Sequence, residues 1–134
     1  MIRPAGHSDV DAITRLMKAE PGFWQSSWPD NIVARVLESP SCLAFVYSLN
    51  GGIAGFASAH DLNFRGYLSE LIVSPSHRGR GVGKKLIDAV EGALRSRGCP
   101  LIIADVWREA EGFYRSRGWE PPDAVLLRKR LAFP

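Results

Sequence analysis

Leu71-Ile72-Val73-Ser74-Pro75-Ser76-His77-Arg78-Gly79-Arg80-Gly81-Val82-Gly83-Lys84-Lys85 begins as a strand and ends as a helix. The joint between the two decides the fold. Its apolar half closes a strand-like run, Tyr67–Val73. Its basic half opens the longest helical pattern, Gly81–Arg97, in which Val82, Leu86, Val90, Ala93 and Leu94 share one face. Gly98 follows as a C-terminal stop. Leu101–Val106 then reads as another strand. Strand, helix and strand over Tyr67–Val106 make a βαβ unit, which joins parallel strands through a crossover. Ligands in such units collect at strand carboxyl ends and helix N-termini.

The helix start is chemically odd. Arg78, Arg80, Lys84 and Lys85 crowd it, and no acid occurs between Glu70 and Asp88. A helix dipole favours anions at this end, not cations. The cations also repel one another, and each glycine that is helical costs up to ~1 kcal/mol of helix propensity. An anion held on the free backbone N–H groups offsets all three costs, and glycine lets a phosphate approach closely. The alternative is a solvated loop with incidental arginines. Two familiar phosphate loops do not fit. In a Walker loop, the glycine five residues after Gly79 falls on Lys84. Gly79, Gly81 and Gly83 give G-x-G-x-G, not the dinucleotide G-x-G-x-x-G, although Asp105 lies at a distance suited to a ribose.

Outward from this unit, Ile2–Ala5 reads as a short edge strand. Ser8 with Asp11 resembles a capping box, and Val10, Ile13, Leu16 and Met17 follow at helical spacing until Pro21-Gly22. A loop with Phe23, Trp24 and Trp28 leads to Pro29 and a second helix carrying Ile32, Val33, Val36 and Leu37. Cys42–Leu49 and Ile53–His60 read as strands joined by an Asn50-Gly51-Gly52 hairpin turn. After the βαβ unit come a short helix, Glu109–Arg117, stopped by Gly118, and a last strand, Ala124–Leu131. The fold class is therefore α/β with a mixed, α+β-like sheet: antiparallel strands first, then βαβ.

With 134 residues, the chain reads as a single domain spanning 1–134. Its 46% apolar and 23% charged content excludes a disordered, collagen-like or coiled-coil chain. No apolar run reaches the ~18–20 residues of a membrane span, and the first residues lack a signal-peptide pattern, so a cytoplasmic location is expected. Cys42 and Cys99 fit no zinc or redox spacing and read as packed thiols. The net charge of +3 is mild. A nucleic-acid reading would use Arg78, Arg80, Lys84, Lys85 and Arg128-Lys129-Arg130, but no nucleic-acid-binding signature accompanies them.

Arg78-Gly79-Arg80-Gly81-Val82-Gly83 resembles the R/Q-x-x-G-x-G/A signature of the GNAT superfamily of acyl-CoA-dependent N-acyltransferases. Leu71-Ile72-Val73-Ser74-Pro75 resembles that family's strand-then-proline entry. Ala110-Glu111-Gly112-Phe113-Tyr114-Arg115-Ser116-Arg117-Gly118-Trp119 resembles its A-x-x-F-Y-x-x-x-G-F/W segment. The likeness extends over nearly the whole chain, in the family's order.

The resemblance implies a GNAT-like fold with splayed parallel strands, and acetyl-CoA as the acyl donor. Backbone amides of Arg78, Gly79, Arg80, Gly81, Val82 and Gly83, with Lys84, would hold the pyrophosphate. Leu71, Ile72 and Val73 would pair with the pantetheine arm. Tyr114 matches the family tyrosine that protonates the departing thiolate, a role suited to a positioned phenol. Glu70 is the candidate general base, because a carboxylate in an apolar strand is costly unless satisfied or functional. His60 and Asp61 are its rivals, and a solvent-facing strand end is the plainer reading of Glu70. Phe23, Trp24 and Trp28 lie where the family shapes its acceptor pocket. They either wall that pocket or cap the core. Glu20, Asp30 and Glu70 carry charge suited to a cationic amine. The expected acceptor is a small-molecule amine, without metal, nucleic acid or membrane, on a monomer or a homodimer paired through the last strand. A non-catalytic CoA sensor and a protein N-terminal or lysine acetyltransferase are the alternatives. Trp107 stands where the family often has Asn, and only Glu120–Asp123 separates Trp119 from the last strand.

Overall fold

The turn at Asn50 and Gly51 has the left-handed backbone that a two-residue hairpin requires, with φ of 52° and 78°. It joins β2 (Cys42–Leu49) to β3 (Gly52–Asp61) at the heart of the sheet. The computed structural model describes residues 1–131. These form two compact units, Met1–Ala104 and a second that begins at Asp105.

The first unit holds a five-stranded sheet in the order β1-β2-β3-β4-β5. β1 (Ile2–Pro4), β2, β3 and β4 (Gly66–Val73) are antiparallel, and β5 (Ile102–Ile103) is parallel to β4. α3 (Val82–Ser96) packs on one face through Val82, Leu86, Ile87, Val90 and Leu94. α1 (Val10–Ala19) and α2 (Ile32–Glu38) contribute Ile13, Met17 and Val33 to a separate core cluster with Val46, Phe56 and Ile72. The mixed class read from the sequence is thus the observed one.

Two glycines let α3 sit close. A Cβ on Gly55 would meet Leu86 Cδ1 at 2.9 Å, and one on Gly66 would meet Leu94 Cδ1 at 2.6 Å. Neither has a left-handed φ, so contact rather than conformation demands glycine there.

The ladders depart from regularity where it matters. Ser58 pairs with Glu70 and Ala59 with Leu68, so Ser69 is an extra residue in β4. This is a β-bulge. The parallel ladder pairs Gly66 with Ile102 and Tyr67 with Ile103, while β4 runs on to Val73. The strand expected over Leu101–Val106 is correspondingly reduced to β5. A longer ladder would have to follow Leu68–Glu70, the part of β4 that is bulged.

Two further expectations are corrected. Ala124–Leu131 has no regular structure, and Val125, Leu126 and Leu127 are 81%, 67% and 86% exposed. Three apolar residues followed by three cations offer no alternating face, and no ladder among the described residues pairs with them. The edge expected to join two copies is therefore not formed by the described residues. At the N-terminus, Asp9 takes the role expected of Ser8 and Asp11. It accepts from Gly6 N–H at 2.8 Å and from both Arg3 guanidinium nitrogens at 2.8 Å. The Arg3 hydrogen bonds hold its carboxyl below the usual value. In the second unit, a 3-10 turn at Arg108–Ala110 leads into α4 (Glu111–Arg115), shorter than the expected Glu109–Arg117.

Gly66→Ala is expected to lower stability by about 1–3 kcal/mol through overpacking against Leu94. Urea unfolding should show a lower midpoint at unchanged slope.

Candidate active site

The bulge changes what β4 presents. In a regular strand, neighbours point to opposite faces. Here the consecutive residues Ser69 and Glu70 both line one cavity of about 190 Å3, beside Phe56 of β3. Met17 of α1 and Ile32, Val33 and Val36 of α2 supply its apolar walls, with Trp28 from the preceding loop. Ser69 Oγ donates to Glu70 Oε1 at 3.3 Å. Opposite Glu70 in register, Ser58 is fully buried and its hydroxyl meets no hydrogen-bond partner among the described residues. Such a group costs roughly 1–3 kcal/mol, so this face of the sheet is not arranged for stability alone. The expectation for Glu70 thus meets a half-buried carboxylate in an apolar hollow. Sequence alone does not single out Ser69, because a bulge has no mark in it beyond a polar residue within an apolar strand.

At the start of α3, Gly79 and Gly81 have φ of 77° and 79°, and a Cβ on either would meet nothing within 4 Å. Their glycine requirement is therefore conformational, not steric. Gly81 is the N-cap, so α3 starts without a side-chain cap, and its first turn holds no acid. Backbone N–H donors at such an end suit an anion.

The cations are less isolated than the sequence suggests. Arg78 Nη2 meets Glu20 Oε2 at 2.7 Å, and its Nε donates to the Val73 carbonyl at 3.2 Å. Lys84 pairs with Asp88 at 3.1 Å, and Lys85 lies 5.6 Å from the Tyr47 ring centroid. Arg80 has no ion pair among the described residues. Glu20, considered for attracting an amine, is instead engaged by Arg78.

The remaining candidates separate by their surroundings. His60 meets Ser41 Oγ at 2.9 Å through Nδ1, and burial lowers its pKa. It does not line the cavity. Asp61 accepts from the Asn63 N–H at 2.8 Å and faces Arg97 at 3.8 Å, a turn-building role. Phe23, Trp24 and Trp28 all pack against the core cluster, and of the three only Trp28 also lines the cavity. Trp24 packs edge-on to Trp28 at 5.4 Å and lies beneath Lys18 Nζ at 4.8 Å. Within the second unit, Tyr114 is 7% exposed and packs edge-on against Phe113 and Trp119 at 5.1 and 5.2 Å. Burial pushes its phenol up to about 12. Cys42 and Cys99 are free, and burial raises the Cys42 thiol. Among the described residues, no group of three or more His, Cys, Asp or Glu could hold a metal, and no helix is long and apolar enough to cross a membrane.

A bulged β4 that outruns its parallel neighbour is thus followed by an uncapped, glycine-entered helix. Residues 11–119 match the Acetyltransferase (GNAT) family, and the chain belongs to that family. An acetyltransferase of Yersinia pestis (strain Pestoides F) is 33% identical over 106 residues, which cover 77% of this chain and 75% of the relative. Solved structures share the fold at lower identity. An aminoglycoside N-acetyltransferase in complex with CoA is 22% identical, with a TM-score of 0.80 over 98% of this chain and all of the other. Glucosamine-6-phosphate N-acetyltransferase from Arabidopsis thaliana is also 22% identical, with a TM-score of 0.80 over 98% of each chain.

The Tyr114 phenol lies above its ordinary value of 10. The stability it confers is complete below about pH 10 and is lost as pH rises toward 12, on the order of 2–3 kcal/mol in all. Ultraviolet titration should show a tyrosinate component with a midpoint near 12, absent in Tyr114→Phe, and the variant should lose part of the alkaline decline in stability.

Proposed function

We propose that this protein transfers an acetyl group from acetyl-CoA to a primary amine of a small molecule. The observation that carries the reading is Glu70, a carboxylate set by the bulge into an apolar cavity between the sheet, α1 and α2. Support for the donor comes from the uncapped α3 N-terminus, entered through left-handed Gly79 and Gly81. The amides of Arg78 through Gly83 would hold the pyrophosphate, with Lys84 near it. Leu71, Ile72 and Val73, on the part of β4 beyond the parallel ladder, would pair with the pantetheine arm.

Acetyl-CoA supplies the activated thioester carbonyl. Glu70 orients the acceptor nitrogen and takes the proton it sheds as the C–N bond forms. Backbone N–H near Val73 stabilises the charge that gathers on the carbonyl oxygen. Tyr114, whose phenol is protonated across the physiological range, gives a proton to the sulfur as the C–S bond breaks. The proton taken by Glu70 and the one replaced on Tyr114 balance through solvent, leaving an amide and a free thiol. A neutral acceptor nitrogen is needed for attack, and a carboxylate in an apolar hollow can both attract the ammonium form and remove its proton.

Calorimetric titration with acetyl-CoA and desulfo-CoA should show binding of both, with weak binding of ATP. Gly81→Val, which places a β-branched residue at φ of 79°, should reduce that binding at least tenfold. Absence of binding at millimolar donor would overturn the donor assignment.

With an acceptor in hand, Glu70→Gln should lower kcat by about 10²–10⁴ and leave the KM for acetyl-CoA nearly unchanged. An unaffected kcat would remove Glu70 from the mechanism.

A further inference from the structure

We infer that Glu20 is a positioning residue for the acyl donor: acting through Arg78, it holds the turn at Gly79 and Gly81 in the path that presents backbone amides to the donor's pyrophosphate. This rests on the reading of that turn as the seat of the pyrophosphate. A ligand cradle needs a fixed path, and the turn cannot fix its own. Its two glycines carry left-handed φ of 77° and 79°, and a Cβ on either would meet nothing within 4 Å. No packing therefore restrains the residues with the most backbone freedom. Restraint comes from the two ends. After the turn, Val82 is buried at the start of α3. Before it, the Arg78 N–H reaches the Pro75 carbonyl only at 3.4 Å, and the side chain supplies the anchor. Its Nη2 meets Glu20 Oε2 at 2.7 Å while its Nε donates to the Val73 carbonyl at 3.2 Å. Both footings are firm. Glu20 is the C-cap of α1, its N–H donates to the carbonyl of the buried Met17, and its side chain is 18% exposed. Val73 lies opposite Gly55, next to the bond from the Ser74 N–H to the Ala54 carbonyl at 2.8 Å. In an antiparallel ladder, bonded and unbonded pairs alternate, so the Val73 carbonyl points away from β3. A carbonyl oxygen has two lone pairs, which leaves one for a donor arm. The planar guanidinium fork spans both acceptors at once, a geometry that an ammonium does not match. Fixing the turn before the ligand arrives removes an ordering cost from binding. Charge alone gives Glu20 the opposite effect. A carboxylate near a phosphate site repels the ligand, so its deletion should tighten binding, whereas deletion of a positioning carboxylate should loosen it.

The test is calorimetric titration of acetyl-CoA, and of S-acetylpantetheine, which lacks the pyrophosphate, into the wild-type protein and its variants. Glu20→Met should weaken acetyl-CoA binding about threefold to tenfold, the scale of one part-buried ion pair, and leave S-acetylpantetheine binding unchanged. Glu20→Gln, which keeps an acceptor oxygen for Arg78, should recover part of the loss. Arg78→Lys, which keeps the charge, should weaken acetyl-CoA binding as Glu20→Met does. The double variant should lose no more than the larger single loss, because the two side chains act as one unit. In the ligand-free protein, the amides of residues 79–82 should exchange hydrogen faster in Glu20→Met and in Arg78→Lys. The amides of residues 86–90, inside α3, should exchange as in the wild type, which reports an intact fold. Tighter acetyl-CoA binding by Glu20→Met, full binding by Arg78→Lys, additive losses, an equal loss for S-acetylpantetheine, or unaltered exchange at residues 79–82 overturns the inference and leaves the donor assignment standing. No acetyl-CoA binding by the wild-type protein at millimolar concentration overturns the donor assignment, and the inference with it.

Discussion

Between Ser58 and Ala59 of β3, the opposing strand β4 carries Leu68, Ser69 and Glu70 where a regular ladder carries two residues. Most of what distinguishes this sheet follows from that one surplus residue. A bulge bends its strand and increases local twist, and the parallel ladder with β5 ends at Tyr67, just before it. The same bulge breaks the alternation of faces, so that Ser69 and Glu70 turn together toward α1 and α2. A carboxylate thereby enters an apolar hollow without any loop to carry it. The strand that runs on beyond the parallel ladder is also the strand that presents Glu70, so the two features are tied through covalent geometry.

The N-terminus of α3 shows how the chain tolerates charge of the unfavourable sign. Its cations are drawn aside rather than neutralised on the spot. Glu20 from the end of α1 takes Arg78, Asp88 one turn on takes Lys84, and the Tyr47 ring faces Lys85. The backbone amides of the first turn are left without a side-chain cap. Exposed ion pairs contribute little stability, so the arrangement is better understood as placement. The Arg78 side chain ties α1, the end of β4 and the glycine turn at one point, through Glu20 and the Val73 carbonyl. The left-handed φ of Gly79 and Gly81 then sets the path into the helix.

What the sequence made legible were features fixed by local chemistry. The Asn50-Gly51 turn, the α3 face from Val82 to Leu94 and the glycines before it depend on periodicity and backbone freedom, which are written in neighbouring residues. The family likeness was legible for the same reason, since its motifs are short and ordered. Features that depend on partners distant in sequence were not. The pairing of Arg78 with Glu20, the place of Asp9 under Arg3, and the insertion of Ser69 into the ladder are each decided by where another segment lies. Ala124–Leu131 failed in the opposite direction: apolar content suggested a strand, but a strand exists only through a partner, and the described residues supply none. For the candidate site, Glu70 and Trp28 were anticipated as chemistry, whereas Met17, Ile32, Val33 and Val36 were read only as helix faces. One helix face can border both core and cavity, and periodicity cannot divide the two.

That shared wall constrains how such a site can change. Met17, Val33 and Phe56 line the cavity and are also buried members of the core cluster, at 4%, 3% and 2% exposure. Shortening any of them would enlarge the hollow, but a large-to-small change in a core typically costs about 2–5 kcal/mol, a sizeable share of the ~5–15 kcal/mol that keeps a domain folded. Ile32, Val36 and Trp28 are only half-buried, so part of each already faces outward and less packing is lost on replacement. Glu70 belongs to neither group, because its position comes from the bulge and not from helix packing. The fold therefore holds the hollow in parts: the Glu70 carboxylate is set by the bulge in the sheet, the inner wall is held by the core, and the outer wall formed by α2 and the loop before it can change at least cost in packing.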